Sequence, residues 1–307
     1  MNRKEIKKRM EKLASEINKR RYEYHVLDRP DMTDEVYDSL MHELRDLEQE
    51  YPELRAPDSP TQRVGGKPLA KFQKVRHEVR QWSFDDVFDY EELKKWEEKV
   101  KRMVEKIEFK NQELEYVAEI KIDGLKIILT YENGIFRSAA TRGDGIIGED
   151  VTENVKTIYS VPLKLKYPVS CIVVGECWLS KKELERINKG REKKKLPLFA
   201  NSRNAAAGSI RQLDPKVAAS RKLDSFIYDL EKLELKAPLS LRDILPLKGE
   251  KGFPETQMEE LELLGKLGFK VNSHHKLCES IGEIQKFYDE WVNKRNKEDY
   301  GIDGVVI

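Results

Sequence analysis

Lys121 stands between two carboxylates in the run Glu119-Ile120-Lys121-Ile122-Asp123-Gly124. Alternate side chains of a strand point to opposite faces, so Leu114, Tyr116, Ala118, Ile120 and Ile122 form one apolar face. Glu119, Lys121 and Asp123 gather on the other. A lysine at a strand end, followed by a glycine whose missing side chain lets a ligand approach the backbone, could act as a nucleophile. The same run also describes a half-buried strand with a solvated charged face, and the choice depends on the rest of the chain.

The elements that must hold this strand follow from pattern and composition. The chain has 307 residues, 37% charged and 39% hydrophobic, with a net charge of +1. That length allows two domains, and the composition indicates a soluble globular protein. Any nucleic-acid surface would have to be local, because the overall charge is near zero. No stretch approaches the ~18 apolar residues of a membrane span, and the N-terminus lacks an apolar signal core, so we expect a cytoplasmic protein with no membrane partner. Cys171, Cys177 and Cys278 lack Cys-x-x-Cys spacing and read as small buried hydrophobes.

Two helices open the chain. Ile6, Met10, Leu13 and Ile17 recur at helical spacing; after Thr33, an expected N-cap, Val36, Tyr37, Leu40, Met41, Leu44 and Leu47 do so again. A polar and aromatic cluster of Tyr22, Tyr24, His25, Asp28, Asp34, Tyr37 and Asp38 lies between and just inside them. On its own it reads equally as a hydrogen-bonded loop packed on helices. Pro52, Pro57, Pro60, Gly65, Gly66 and Pro68 suggest a linker over residues 52 to 68, and we divide the chain at 1–62 and 63–307. Leu93, Trp96, Val100 and Met103 mark a further helix.

The Lys121 strand is expected to pair with residues 125 to 131, and Asn133-Gly134 to return the chain as a hairpin through residues 135 to 141. Gly143-Asp144-Gly145 reads as a tight loop beside Arg142. No Gly-x-x-x-x-Gly-Lys-Ser/Thr phosphate-loop motif is present. A strand over residues 171 to 179 carries Glu176 among apolar neighbours, as an edge residue or a site residue. Ser180 and Glu183 suggest a capping box, with Gly190 ending that helix and a basic loop at 191 to 195. In the run from Phe199, Arg203 and Arg211 could pair phosphates, or sit on a solvated basic loop. Another strand at 223 to 230 contains Tyr228, helices are expected near 255 to 267 and 281 to 295, and Asp303-Gly304-Val305-Val306-Ile307 begins a strand.

Taken together these motifs resemble the bacterial NAD-dependent DNA ligases over essentially the whole chain. The resemblance rests on Tyr24-His25 with Asp34 and Tyr37-Asp38, on Glu119 to Gly124, Thr141 to Gly145, Val174-Gly175-Glu176, Asn204 to Ser209 and Asp303 to Ile307. It implies an α+β fold: an N-terminal helical pair that recognises nicotinamide mononucleotide, then an antiparallel-sheet nucleotidyltransferase domain of the ATP-grasp-like ligase kind. Lys121 would attack the α-phosphorus of NAD and become lysyl-AMP, the first step of sealing nicked double-stranded DNA, with Asp123 as a second catalytic residue. Glu119 and Glu176 would contact adenosine, Arg142 the ribose or phosphate, Ser83 and Phe84 the nucleotide pocket, and Tyr228 the adenine face. Tyr24, His25, Asp34, Tyr37 and Asp38 would hold the mononucleotide half, and Arg203 and Arg211 would meet DNA.

An ammonium is not a nucleophile, so the lysine must lose its proton to attack, which neighbouring carboxylates oppose; a shielding Mg²⁺ is therefore expected, with no ligand assigned to it. The family usually has Pro-Met-Leu-Ser-Leu-Asp-Asn where Arg80 to Asp86 stands here, and Tyr-Gly in place of Tyr228-Asp229. It also continues beyond the Asp303 strand with a phosphate-binding lysine and further DNA-binding domains. On that pattern this chain is expected to be a monomer that binds NAD, adenylates itself slowly or not at all, and does not seal nicks. The alternatives are an ATP- or GTP-dependent nucleotidyltransferase, or a nucleic-acid-binding module without catalysis.

Overall fold

Helix formation begins with periodic burial. Ile6, Met10, Leu13 and Ile17 all fall on the buried stripe of Arg3–His25 (α1) and pack on Leu44 of Asp34–Glu50 (α2). A capping box closes the start of α1, where Asn2 and Glu5 each accept the other's backbone N–H. This computed structural model describes residues 2–27, 29, 34–64, 68–105, 114–234 and 253–307, without the side chains of Asp34, Glu35 and Val64. Asp28, Thr33, Gly65 and Gly66 lie outside the described residues, so the N-cap expected at Thr33 does too.

The stretch read as a linker is packed where it is described. It makes two 3₁₀ turns, Pro52–Leu54 and Pro60–Val64. Arg63 is buried and donates to the carbonyls of Lys156, Ile158 and Val161 at 2.9 to 3.0 Å. Arg21 of α1 donates to the Tyr159 carbonyl. Two arginines thus fasten the helical pair to the loop at 156 to 161, which no run of prolines announces.

Three antiparallel sheets follow. Lys74–Arg76 (β1) pairs with Ile147–Glu149 (β5). Tyr116–Ile122 (β2) is the middle strand of three, between His275–Cys278 (β8) and Ile302–Val306 (β9). Leu125–Glu132 (β3) lies in a four-stranded sheet with Ile135–Thr141 (β4), Ser170–Trp178 (β6) and Asp224–Glu234 (β7), in the order β4-β3-β6-β7. The expected pairing of the Lys121 strand with residues 125 to 131 is therefore corrected. Neither Asp123 nor Gly124 takes the positive φ that a two-residue hairpin requires, and the chain bends at Gly124 to cross from one sheet to the other. Asn133 and Gly134 do take it, with φ of 50° and 78°, and β3 turns into β4 there.

The two larger sheets each bury a face, and the four-stranded one also buries Ile128, Ile172 and Val174 on its other face. Ile127, Leu129 and Tyr131 enter the largest core with Val173, Ile227 and the short helix Thr152–Val155 (α4), under Gln257–Leu267 (α8). Tyr116, Ala118 and Ile120 of β2 pack on Ile284, Phe287 and Trp291 of Ile281–Lys294 (α9) and on Leu93 of Tyr90–Val104 (α3). Cys171, Cys177 and Cys278 are free and buried. The helix after Ser180, Lys181–Lys193 (α5), runs through Gly190, where a helix end was expected. A solvent-exposed glycine costs a helix only about 1 kcal/mol, and the chain instead turns at Lys195, whose φ is 54°. The basic run at 191 to 193 is therefore helical. Among the described residues no helix is long and apolar enough to cross a membrane.

Candidate active site

Polar groups of the two larger sheets share one cleft, where Asp229 of β7 acts on Glu119 of β2 and Arg203 acts on both Asp123 and Glu176. Lys121, last but one in β2, reaches across to β9 and forms an ion pair with Asp303. Asp123, just past the strand end, lies 3.9 Å from Arg203. Burial pushes the Asp123 carboxyl up, helped by Asp303 and opposed by Arg203 and Lys121. The predicted nucleophile thus sits among two acids and one arginine. Arg203 is on Ser202–Ile210 (α6), whose small Ala205, Ala206 and Ser209 are buried, and Asn154 secures the helix end by donating to the carbonyls of Ile210 and Gln212.

The opposite wall is made by β3, β6 and β7. Glu176 faces Lys126 in register, and burial pushes its carboxyl up to about 7 against the charges of Arg203 and Lys126. Gly124 allows this approach: a Cβ there would stand 2.3 Å from the Cys177 carbonyl and 2.8 Å from Glu176 Cγ. Tyr228, half-buried on β7, hydrogen-bonds Glu176. Burial also pushes Glu119 up to about 7, opposed by a 2.8 Å hydrogen bond from Gln257 Nε2 and assisted by Asp229. Gln257 donates to the Tyr228 carbonyl as well, at 2.9 Å, so the first turn of α8 ties the two walls together.

Behind this lies a second group of acids. Asp229 and Glu260 share a hydrogen bond and both are raised by burial, Glu260 to about 8. Glu231 accepts two bonds from Gln81 Nε2, at 2.7 and 2.8 Å. The same burial lowers Lys126, which the charges of Glu231 and Asp229 partly offset. Sequence reasoning missed Gln257, Glu260 and Gln81, whose roles depend on tertiary contacts, and Asp229 and Arg21 with them. Asp303 was noted only as part of a strand motif.

The remaining predicted residues divide. Arg142 lies at the cleft, half-buried, with its Nε lacking any hydrogen-bond partner. The loop after it turns as expected, Gly143 and Gly145 taking φ of 58° and 91° while Asp144 accepts from the N–H of Ile146 and Ile147. Ser83 and Phe84 are exposed on an extended stretch, Phe84 at 69%. Arg211 pairs with Glu149 at 2.8 Å. His25 stacks on Tyr159 with ring centroids 4.8 Å apart, and Tyr24, half exposed, leans on His25. Burial brings the His25 imidazole down to about 4 and raises the Tyr37 hydroxyl. Asp38 is exposed, and the Asp34 side chain lies outside the description. The helical residues are therefore gathered around Tyr159, Arg21 and Arg63, not around Lys121.

Family comparison decides between the readings left open by this geometry. Residues 69–307 match the NAD-dependent DNA ligase adenylation domain, and residues 3–65 match the DNA ligase-like, N-terminal NAD+-binding domain. The chain belongs to the family of NAD-dependent DNA ligase adenylation domains. The chain is 47% identical over 304 residues to a DNA ligase of Thermotoga petrophila, an alignment covering 99% of the chain and 41% of that relative. A DNA ligase of Thermoanaerobacter sp. is 46% identical over 301 residues (98% and 42%), and one of Bacillus licheniformis 45% over 307 (100% and 43%). The chain spans about two-fifths of the length of the curated relatives it matches. The α+β architecture, helical pair and antiparallel sheets, is the one expected of the family.

Proposed function

We propose that the chain uses NAD to adenylate itself on Lys121, as the first step of DNA nick sealing by a longer protein. The observation that carries this is the ion-paired Lys121 at the end of β2, beside an Asp123 that shares Arg203 with Glu176, in an NAD-dependent adenylation domain. Lys121 Nζ forms a bond to the α-phosphorus and loses a proton. The bond from that phosphorus to the bridging oxygen breaks, and nicotinamide mononucleotide leaves with the electron pair. Arg203 and Arg142 supply positive charge where the phosphate gathers negative charge. Glu119 and Glu176, held near neutrality, receive the adenosine, and Tyr228 offers its ring to the base.

Mg²⁺ fits as a partner shared with the cofactor. Among the described residues no group of three His, Cys, Asp or Glu side chains could hold a metal alone. Magnesium is commonly held by one or two carboxylates together with substrate phosphates, and Asp123 and Asp303, which feel each other's charge, are suited to that. Bound there it would neutralise phosphate charge. Tyr24, His25, Asp34, Tyr37 and Asp38 take the mononucleotide half, in a helical module that we place at residues 1–62, before the adenylation domain at 63–307. In the longer enzyme Arg203 and Arg211 meet nicked double-stranded DNA. We place the protein in the cytoplasm as a monomer.

Intact mass after incubation with NAD and Mg²⁺ tests the proposal. One adenylate should appear on the wild type and none on Lys121→Arg, because arginine stays protonated. Adduct on the variant would assign the nucleophile elsewhere, to Lys126 first. Labelling by ATP equal to that by NAD would remove the cofactor assignment.

A further inference from the structure

A cavity of about 730 Å³ opens between α1, α2, the 3₁₀ turns and the stretch from Pro162 to Lys166, and no residue of the Lys121 cleft lines it. That volume lies within the range of small-molecule sites. Its floor includes Met10, Ala14, Leu44 and Leu165. Two of its acids are already engaged. Glu48 accepts from Ser59 and Thr61 and lies 3.5 Å from Arg55, and Asp58 lies 3.4 Å from Lys164. Glu11 is exposed at the rim.

Two of its basic groups, Arg21 and Lys166, are not matched in the same way. Arg21, only 4% exposed, donates to the Tyr159 carbonyl through one terminal nitrogen, while its buried Nε has no hydrogen-bond partner. A buried N–H without an acceptor is destabilising until something supplies one. Lys166 lies over the Tyr22 ring, 3.8 Å from its centroid, with no acidic partner among the described residues. An aromatic face beside a cation and above an apolar floor suits a flat ligand that carries an acid group.

We propose that this cavity binds a small amphipathic organic anion. The sulfonate, phosphate or carboxylate sits at Arg21 and Lys166, and the apolar body lies on Met10, Ala14 and Leu44. The site is separate from the nucleotide cleft, and the proposal does not depend on the chemistry assigned to Lys121.

Fluorescence titration with anilinonaphthalene sulfonate tests it on the intact chain, with circular dichroism to confirm that each variant is folded. The wild type should bind one probe saturably, and excess AMP should leave the signal unchanged. Ala14→Trp fills the floor and should weaken binding by about tenfold or more. Lys166→Glu changes an exposed side chain, so folding is not at stake, and should weaken binding several-fold and remove the loss of affinity that added salt causes in the wild type. Displacement by AMP would move the probe to the Lys121 cleft and overturn the proposal. Affinity unchanged in Lys166→Glu, or the absence of saturable binding to the folded wild type, would overturn it too.

Discussion

Replacing Glu119 by Gln should make the protein more stable and less active, with the stability gain growing as pH rises. Burial moves the Glu119 carboxyl from its usual 4.5 to about 7. In the folded protein it keeps its proton up to about pH 7, whereas the unfolded chain gives the proton up near pH 4.5. The folded state therefore binds more protons across that window, and wild-type stability falls as pH rises through it. A shift of 7 − 4.5 = 2.5 units corresponds to a ceiling of about 3 kcal/mol, at about 1.4 kcal/mol per unit. Glutamine keeps the shape and an acceptor for Gln257 Nε2 but has nothing to ionise. Urea unfolding at pH 4 and pH 8 should show the variant nearly equal to wild type at the lower pH and up to about 3 kcal/mol more stable at the higher. Glu176 carries a similar shift in both proteins, so it cancels in the difference. Adenylation by NAD should fall at pH 8, where the wild-type carboxylate is a charged acceptor for adenosine and the amide is not, and should differ little at pH 4, where the wild-type group is itself neutral. A stability difference independent of pH would refute the reasoning, since it would show that Glu119 ionises in the folded protein as it does in water.

Three further outcomes follow from the same contacts. His25→Phe keeps the ring stacked on Tyr159 but removes a group that the unfolded chain protonates near pH 6.5 and the folded protein only near pH 4; wild-type stability is lost as pH falls through that window, and denaturant midpoints of the variant should be flatter there by up to about 3 kcal/mol. Gly124→Ala places a Cβ against the Cys177 carbonyl and Glu176, and calorimetry should show a loss of about 1–3 kcal/mol, accompanied by slower adenylation as Glu176 shifts. Tyr24→Ala with Asp34→Ala should block reaction with NAD yet leave AMP binding intact by isothermal titration; loss of both would assign the helical pair to folding and end its cofactor role.

The sequence disclosed what a single element determines and hid what two elements determine together. Alternation placed Glu119, Lys121 and Asp123 on one face of β2, and their structure has that face open to the cleft. Asn133-Gly134 announced its own turn because the required φ values are local. The neighbours of β2 were not legible: β8 and β9 arrive from more than 150 residues away, while the adjacent β3 belongs to another sheet. Arg21 and Arg63 were equally hidden, since their partners are backbone carbonyls that no side-chain pattern encodes. Gly190 misled because glycine only weakens a helix, and its exposed position leaves nothing for a Cβ to strike.

The sheet crossing explains how a lysine on a regular strand becomes available for chemistry. Both edges of β2 are filled, by β8 and β9, and its apolar face is fixed on α9, so the backbone beneath Lys121 has little freedom. A hairpin after Ile122 would have carried Asp123 back over its own sheet. The Asp123-Gly124 step instead carries the chain into β3, where Lys126 pairs with Glu176 and Glu176 comes within electrostatic reach of Asp123 and Arg203. Gly124 sets how closely the two sheets approach, because any side chain there meets the β6 backbone. The nucleophile, the acids that receive the nucleoside and the arginine beside Asp123 are therefore positioned by one two-residue crossing, and their spacing is fixed before any ligand arrives.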